Sequence, residues 1–307
     1  MSSRRVTITG ASGLIGPQLV AALQAAGSEV SVLSRDPGRA REKLGKDVEA
    51  FEWDLMSEPA PVEALAGRDA VVHLAGEPVA QRWNAKVKEA IRASRVTGTR
   101  NLLAGLKDAD PRPAALISSS AIGYYGAHGE EPLDEEAAPG GDFLAQVCIE
   151  WEREAARASE ELGMRVAQIR TGVVLDSAGG ALGKMLPPFR LGVGGPVAGG
   201  RQYISWIHTK DLVGMMQAAI EDERWSGPIN GTAPTPLPNG DFSKVLGRVL
   251  KRPALLPVPG FALQLLYGEM AEIVTTGARV VPAKPLVLGY EFHHPELEEA
   301  LRSAIGS

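Results

Sequence analysis

The stretch VTITGASGLIGPQLVAALQAAGSEVSVLSRDP, Val6 to Pro37, decides how the rest of the chain is read. Its β-branched start, Val6 to Thr9, predicts a strand, and Pro17 to Ala26 predicts an amphipathic helix stopped by Gly27 before a second strand, VSVL. Between strand and helix stand Gly10, Gly13 and Gly16. Glycines there let the backbone turn tightly and approach a bound anion, while the helix N-terminus offers free N–H groups and a positive dipole. Ser12, Leu14 and Ile15 complete the turn, and Pro17 suits the first helical turn. The whole pattern predicts a site for the pyrophosphate of a dinucleotide.

The end of the second strand separates two dinucleotides. An acidic residue about 20 positions after the glycines would accept bonds from a ribose 2′-hydroxyl and select NAD. Ser34 and Arg35 stand there instead. A guanidinium matches a 2′-phosphate in charge and fork geometry, with Ser12 or Arg39 as helpers. This favours NADP(H), while the adjacent Asp36 keeps NAD(H) as the alternative.

At 307 residues, with 44% apolar and 22% charged residues, the chain can bury a sizeable core. Its net charge of −5 supplies no general attraction for nucleic acid or anionic lipid. The single cysteine, Cys148, excludes an internal disulfide, and the five histidines have no zinc-site spacing, so no metal is expected. No signal-peptide pattern and no run of about 18 apolar residues occurs, which predicts a cytoplasmic protein with no membrane span. A homodimer is compatible with this composition.

Short β-branched runs, VTIT, VSVL, AVVHLAG, ALISSS and RVAQIRTGVVL, alternate with helix-like segments at Pro17–Ala26, Asn84–Leu106 and Ala145–Leu162. Such alternation predicts an α/β, doubly wound parallel sheet. A helix at Lys210–Glu221 and a strand at Pro228–Gly231 rejoin it. Further helices are expected at Asp241–Leu250, Phe261–Thr275 and Pro295–Ile305. The expected division is a Rossmann domain of residues 1–171 plus 203–232 and a smaller C-terminal substrate lobe of 172–202 plus 233–307.

With the glycine turn, Asp54-Leu55, His73-Leu74-Ala75-Gly76 and Ser118-Ser119-Ser120 in place, residues Val6 to Gly231 resemble the extended short-chain dehydrogenase/reductases. HLAGEPVAQRW (73–83), SSSAIGYYG (118–126), FLAQVCIEWE (143–152), GGRQYISWIH (199–208) and GEMAEIVTTGARVVP (268–282) narrow the resemblance to an atypical, epimerase-like branch. That branch ends in a domain of unknown function, and its members carry names such as sugar-nucleotide epimerase or cell-division inhibitor. The resemblance implies that Asp54 and Leu55 border the adenine. It implies equally that Leu74, Ala75 and Gly76, and later Thr171, Gly172 and Val173, pass beside the cofactor. Asp54 alone reads equally well as the cap of a turn.

The family's usual catalytic set is Ser, Tyr and Lys: tyrosine exchanges a proton with the substrate oxygen, lysine lowers its pKa and serine orients the carbonyl. Ser120 takes the serine position by resemblance, but Leu144 and Cys148 stand where the Tyr-x-x-x-Lys pair belongs. No shift of register restores it, because no lysine occurs between Lys107 and Lys184 and the only tyrosines there are Tyr124 and Tyr125. Arg95 replaces the usual asparagine before Val96. Three readings follow: an oxidoreductase on a small carbonyl or sugar-like substrate with Tyr124 or Tyr125 as replacement acid, a non-catalytic NADP(H) sensor, and a nucleotide-sugar epimerase or dehydratase.

Glu77, Arg82 and Trp83, and later Trp206 and His208, are candidates for the substrate cleft, against packing and helix-capping roles. Residues Gly179 to Gln202 read as a loop with glycine hinges, and their length without an element argues for a substrate lid. Lys184, Arg190 and Arg201 would give that lid positive charge.

Overall fold

The computed structural model describes residues 3–306. Strands β1 (Arg5–Thr9), β2 (Glu29–Ser34), β3 (Glu49–Glu52), β4 (Ala70–His73), β5 (Ala115–Ala121), β6 (Arg165–Thr171) and β7 (Gly227–Gly231) form one parallel sheet. Their spatial order is 7-6-5-4-1-2-3. In register, Val6 lies between Val30 and Ala70, and His73 lies beside Ser118. The connections reverse direction between β1 and β4, which opens a crevice at the C-terminal ends of those strands.

Alternate residues of each strand feed one layer or the other. Val6, Ile8, Val32, Val72 and Ile117 pack under α1 (Gly16–Ala25) and, on the same face, Leu212 and Met216. Leu33, Val71, Leu116 and Val166 meet the opposite layer, α3 (Ala85–Asp108) and α4 (Phe143–Leu162), at Leu102, Leu106, Ala155 and Ala158. The short helix α2 (Pro37–Leu44) connects β2 to β3. Burying a large aliphatic side chain contributes about 1.5–3 kcal/mol, so these two layers outweigh intrinsic helix propensity. Local signals still set the ends: Asn84 accepts from the Val87 amide, and Asp142 from the Ala145 amide, each at 2.9 Å.

A further core joins α5 (Gly180–Arg190), α7 (Asn239–Leu250) and α11 (Leu297–Ile305) through Leu182, Phe189, Trp206, Phe242, Leu246 and Leu301. Between them in the chain lie α6 (Thr209–Glu221), α8 (Gly260–Tyr267), α9 (Ala271–Thr275) and α10 (Ala283–Val287). The predicted loop Gly179–Gln202 is therefore corrected: its first half is α5. Pro187 and Pro188 masked the helix in the sequence, although Leu182, Leu186 and Phe189 follow the spacing of one buried face. Without an elementless stretch, loop length no longer argues for a lid. Likewise the single helix expected over Phe261–Thr275 breaks at Gly268, whose φ of +62° favours glycine, into α8 and α9. Among the described residues no helix is long and apolar enough to cross a membrane.

Two candidate substrate residues belong to this framework. Trp206 is fully buried and donates through Nε1 to the Thr235 carbonyl at 3.0 Å. His208 precedes α6, and its Nδ1 accepts from the Lys210 amide at 3.1 Å. Both are corrected to structural roles, because an indole in the core and a capping imidazole offer no face to a substrate.

Burial, reinforced by the neighbouring His294 and Lys210, pushes the pKa of His208 down to about 4. His73, fully buried at the end of β4, is likewise pushed down to about 4, by burial first and the charge of Arg95 second. Both rings therefore stay neutral in the folded state while the unfolded chain takes up protons near the ordinary value of 6.5. Stability contributed this way is present above 6.5 and is lost as pH falls toward 4, by about 2 kcal/mol per ring near pH 5. Urea unfolding as a function of pH should show this decline. His208→Asn, which keeps a capping oxygen and removes the titration, should remove about half of it.

Candidate functional site

The glycine turn is shaped by contact with the chain leaving β4. Gly10 has φ +69°, and a Cβ there would lie 2.6 Å from the Ala75 nitrogen. A Cβ on Gly16 would lie 2.0 Å from the Ala11 carbonyl oxygen, so α1 can start at this place only without a side chain. The Gly13 amide donates to the Gly10 carbonyl at 3.0 Å, and a Cβ at Gly13 would approach that carbonyl to 3.2 Å. No side chain caps α1 at Ile15, which leaves its N-terminal dipole for a ligand. Ser12 is exposed, and Leu14 packs against Gly179 and Gly180 at the entry to α5.

Beside the turn, Ser12, Ser34, Arg35, Arg39 and Lys43 line a cavity of about 510 Å³ together with Asp36 and Glu42. Asp36 is the N-cap of α2: its Oδ1 accepts from the Arg39 amide at 2.9 Å, while the Ser34 hydroxyl lies 3.2 Å from its amide nitrogen. Lys43 donates to the Ser12 carbonyl at 2.6 Å, tying the second βα unit to the glycine turn. Three cations thus line one cavity where the sequence named two, Arg35 and Arg39. Lys43 escaped notice because its reach depends on where α2 begins.

Asp54 closes the turn after β3. Its carboxylate accepts from the Met56 amide at 3.0 Å and the Ser57 hydroxyl at 2.8 Å, bonds that hold its pKa below the usual carboxylate value. Leu55 packs onto α3 at Gly98, where an added Cβ would meet its Cδ1 at 2.2 Å. Leu74 and Ala75 donate their amides to the carbonyl and hydroxyl of Thr9 at 3.1 and 3.2 Å. Gly76 follows, exposed. Thr171 ends β6, and the amides of Gly172 and Val173 then donate to the Gly231 and Ser205 carbonyls. That handover directs the chain from the main sheet to the pair formed by 173–175 and 206–208.

Around Ser120 the structure holds a buried polar network. The Ser120 hydroxyl, 3% exposed, donates to Glu152 Oε1 at 2.6 Å. Glu152 also receives Arg170 through Nε at 2.9 Å and Nη2 at 2.8 Å, a two-pronged pair that no single-residue motif announces. Burial opposes the charge on Arg170, yet its bonds to Glu152 prevail and raise its pKa. Arg170 Nη1 donates to the Tyr125 hydroxyl at 3.0 Å, and that hydroxyl reaches the Asp134 carbonyl and Asn230 Oδ1. Tyr125 is fully buried and pushed up to about 12 by that burial. It is corrected from a candidate acid to a core bracket, because its hydroxyl is saturated and out of reach.

Tyr124 differs. It is half-buried, its ring lies 3.5 Å from the Arg170 guanidinium carbon, and its hydroxyl has no partner among the described residues. Leu144 and Cys148 pack beneath Gly123, and burial with the charge of Glu152 pushes the Cys148 thiol up to about 12. No reactive thiolate results. Arg95, which the sequence marked only as a departure from asparagine, spends Nη1 on the carbonyls of Glu77 and Ile91. Its other nitrogens have no protein acceptor among the described residues, and its guanidinium lies 3.4 Å from a Cβ built on Gly76. Burial lowers its pKa.

The remaining cleft candidates separate in the same way. Trp83 donates to the Val79 carbonyl at 2.9 Å and meets Phe143 edge to face at 5.2 Å, so its role is packing. The Glu77 carboxylate accepts from Gln81 at 3.0 Å, and Arg82 is exposed near Gly268. Lys184 of α5 donates to the Ala80 carbonyl at 2.8 Å across the mouth of this region.

Residues 6–230 match the NAD dependent epimerase/dehydratase family, and residues 258–304 match a domain of unknown function, DUF1731. Epimerase family protein Mb2239 of Mycobacterium bovis is 41% identical, with 98% of this chain and 97% of that protein covered. The chloroplastic SDR39U1 homolog of Arabidopsis thaliana is 40% identical, with 98% and 87% covered. The crystal structure of human epimerase family protein SDR39U1 with NADPH superposes with a TM-score of 0.89 at 34% identity, covering 99% of both chains. A UDP-galactose 4-epimerase at 20% identity and TM-score 0.74 shares the fold. The chain therefore belongs to the NAD dependent epimerase/dehydratase family and carries the DUF1731 domain at its C-terminal end.

Proposed function

We propose that the protein is a cytoplasmic NADP(H)-dependent oxidoreductase acting on a small carbonyl or sugar-like substrate. The observation that carries the cofactor is the cavity beside the glycine turn. Arg35, Arg39 and Lys43 line it, while Asp36, the carboxylate that would have favoured a ribose diol, is engaged in capping α2. A phosphate monoester suits three convergent cations, and the similar human protein was crystallised with NADPH. Gly10, Gly13 and Gly16 with the open end of α1 would hold the pyrophosphate, and the exposed Gly76 would let the cofactor pass. When bound, the nicotinamide supplies or accepts a hydride.

The chain's own residues then divide the remaining work. Tyr124 offers its free hydroxyl as the acid, with its ring fixed against Arg170. Arg95 holds a positive charge beside Gly76 to stabilise an oxygen on which negative charge develops. Ser120, Glu152 and Arg170 form the support beneath them. A second reading, an NADP(H) sensor without turnover, is favoured by the commitment of the Ser120 hydroxyl to Glu152.

Arg35→Asp should weaken NADPH about ten- to a hundredfold, the worth of one charge-assisted bond, with little change for NADH. Titration calorimetry checks it, and equal losses for both nucleotides would remove the phosphate role. Gly13→Val should fold and lose affinity for both. For catalysis, NADPH oxidation is followed against a panel of aldehydes, ketones and keto-sugars. Tyr124→Phe should lower turnover by about a hundredfold or more with unchanged NADPH affinity. Tight NADPH binding without turnover on any panel member would favour the sensor.

A further inference from the structure

The net charge of −5 conceals a strong asymmetry. Residues 177–210 and 242–268 together hold eight of the 32 Lys and Arg and none of the 37 Asp and Glu. The two stretches, far apart in sequence, lie side by side. Val197 bridges Val258, the Ala198 and Val258 amides donate to the Val258 and Pro196 carbonyls, and a Cβ on Gly192 would touch Pro253 at 3.6 Å.

The same surface carries large apolar side chains in water. Leu191 is 78% exposed, Leu255 80%, Phe261 75% and Leu265 77%, with Leu256 and Leu266 also exposed. Helix α8, GFALQLLY, is apolar on nearly every side and buries no residue. A helix of that composition ordinarily lies in a core or against lipid, and an exposed patch of this kind marks a contact surface. Lys244, Arg248, Lys251 and Arg252 share one shallow depression with Leu255, and Arg190 adjoins Leu191. Lys244 pairs with Asp241 and Arg248 with Glu298, whereas Lys251 and Arg252 have no ion-pair partner among the described residues.

We propose that this face docks on an anionic lipid surface, with the leucines and Phe261 entering the headgroup boundary and the cations meeting the lipid charge. Exposed apolar side chains beside cations are the arrangement by which peripheral proteins adsorb to such membranes. A twofold dimer through the same face would bring the unpaired Lys251 and Arg252 of two copies together, which like-charge repulsion opposes. The depression of Lys244, Arg248, Lys251 and Arg252 shares no lining residue with the cavity of Arg35 and Lys43.

Flotation with phosphatidylcholine vesicles, with and without added phosphatidylglycerol, tests the proposal on the full chain. The protein should float with the anionic vesicles and stay behind with the neutral ones. Each basic residue near an anionic surface contributes about a fivefold gain in partitioning, so Lys251→Gln with Arg252→Gln should weaken it roughly thirtyfold. Phe261→Ser with Leu265→Ser, which leaves every charge in place, should also release the protein. NADPH affinity, unchanged in both variants, shows that they fold. Failure of the wild type to float with anionic vesicles overturns the proposal, as does flotation indifferent to both pairs of changes. Concentration-dependent dimerisation by light scattering, abolished by the Phe261 and Leu265 changes and unaccompanied by flotation, would identify a second copy as the occupant and equally overturn it.

Discussion

The approach of two stretches of backbone at the mouth of the sheet governs what else this chain can do. Gly10 sits so close to the Leu74–Ala75 peptide that a single Cβ would overlap it. Thr9 secures the contact from below, its carbonyl and hydroxyl taking the amides of Leu74 and Ala75. The Thr9 hydroxyl also lies 2.7 Å from His73 Nδ1, so a neutral imidazole is built into the same joint. Because β1 and β4 are neighbours where the winding of the sheet reverses, this joint defines the crevice used by ligands in open α/β sheets.

On the far side of that crevice a different constraint operates. Glu152 and Arg170 are buried charges on α4 and β6, and each would be costly alone: removing one partner of such a pair typically costs about 3–5 kcal/mol. Their mutual bonds settle that cost and set the positions of their neighbours. Ser120 is drawn toward Glu152, Tyr125 is held by Arg170 Nη1, and Tyr124 is pressed beneath the guanidinium. Glu135 extends the network, taking the Asn230 amide at 2.9 Å and the Lys284 amide at 3.0 Å, so the sheet edge, the 132–136 turn and α10 share one polar core.

What could be read from the sequence follows from how local each signal is. The glycine turn, the strand alternation and the arginine after β2 depend on residues within a few positions of one another, and all could be placed. Asn84 and Asp142 likewise announce the helices they cap. The adjacent tyrosines could not be told apart, because the short 3₁₀ turn Ile122–Tyr125 sends Tyr125 into the core and leaves Tyr124 at its margin. The Glu152–Arg170 pair joins residues on different elements, and the position of Lys43 depends on a helix cap. Helix α5 was hidden by its own prolines, which weaken the local signal while Leu182 and Phe189 supply the burial that keeps it helical.

The face of α4 that carries Leu144 and Cys148 has a consequence for charge. Leu144 and Cys148 turn that face of the helix into packing against Gly123, and a thiol held near 12 carries no charge at neutral pH. Glu152, one turn further on, is balanced by Arg170. This face of α4 therefore provides neither proton nor positive charge. Arg95 comes from α3, the neighbouring helix of the same layer, and brings a guanidinium with free N–H groups to within reach of Gly76. In the proposed reaction the cation and the acid consequently stand on separate elements, α3 and the turn after β5. Arg95 can then polarise an oxygen without perturbing Tyr124, and each can be altered without dismantling the other.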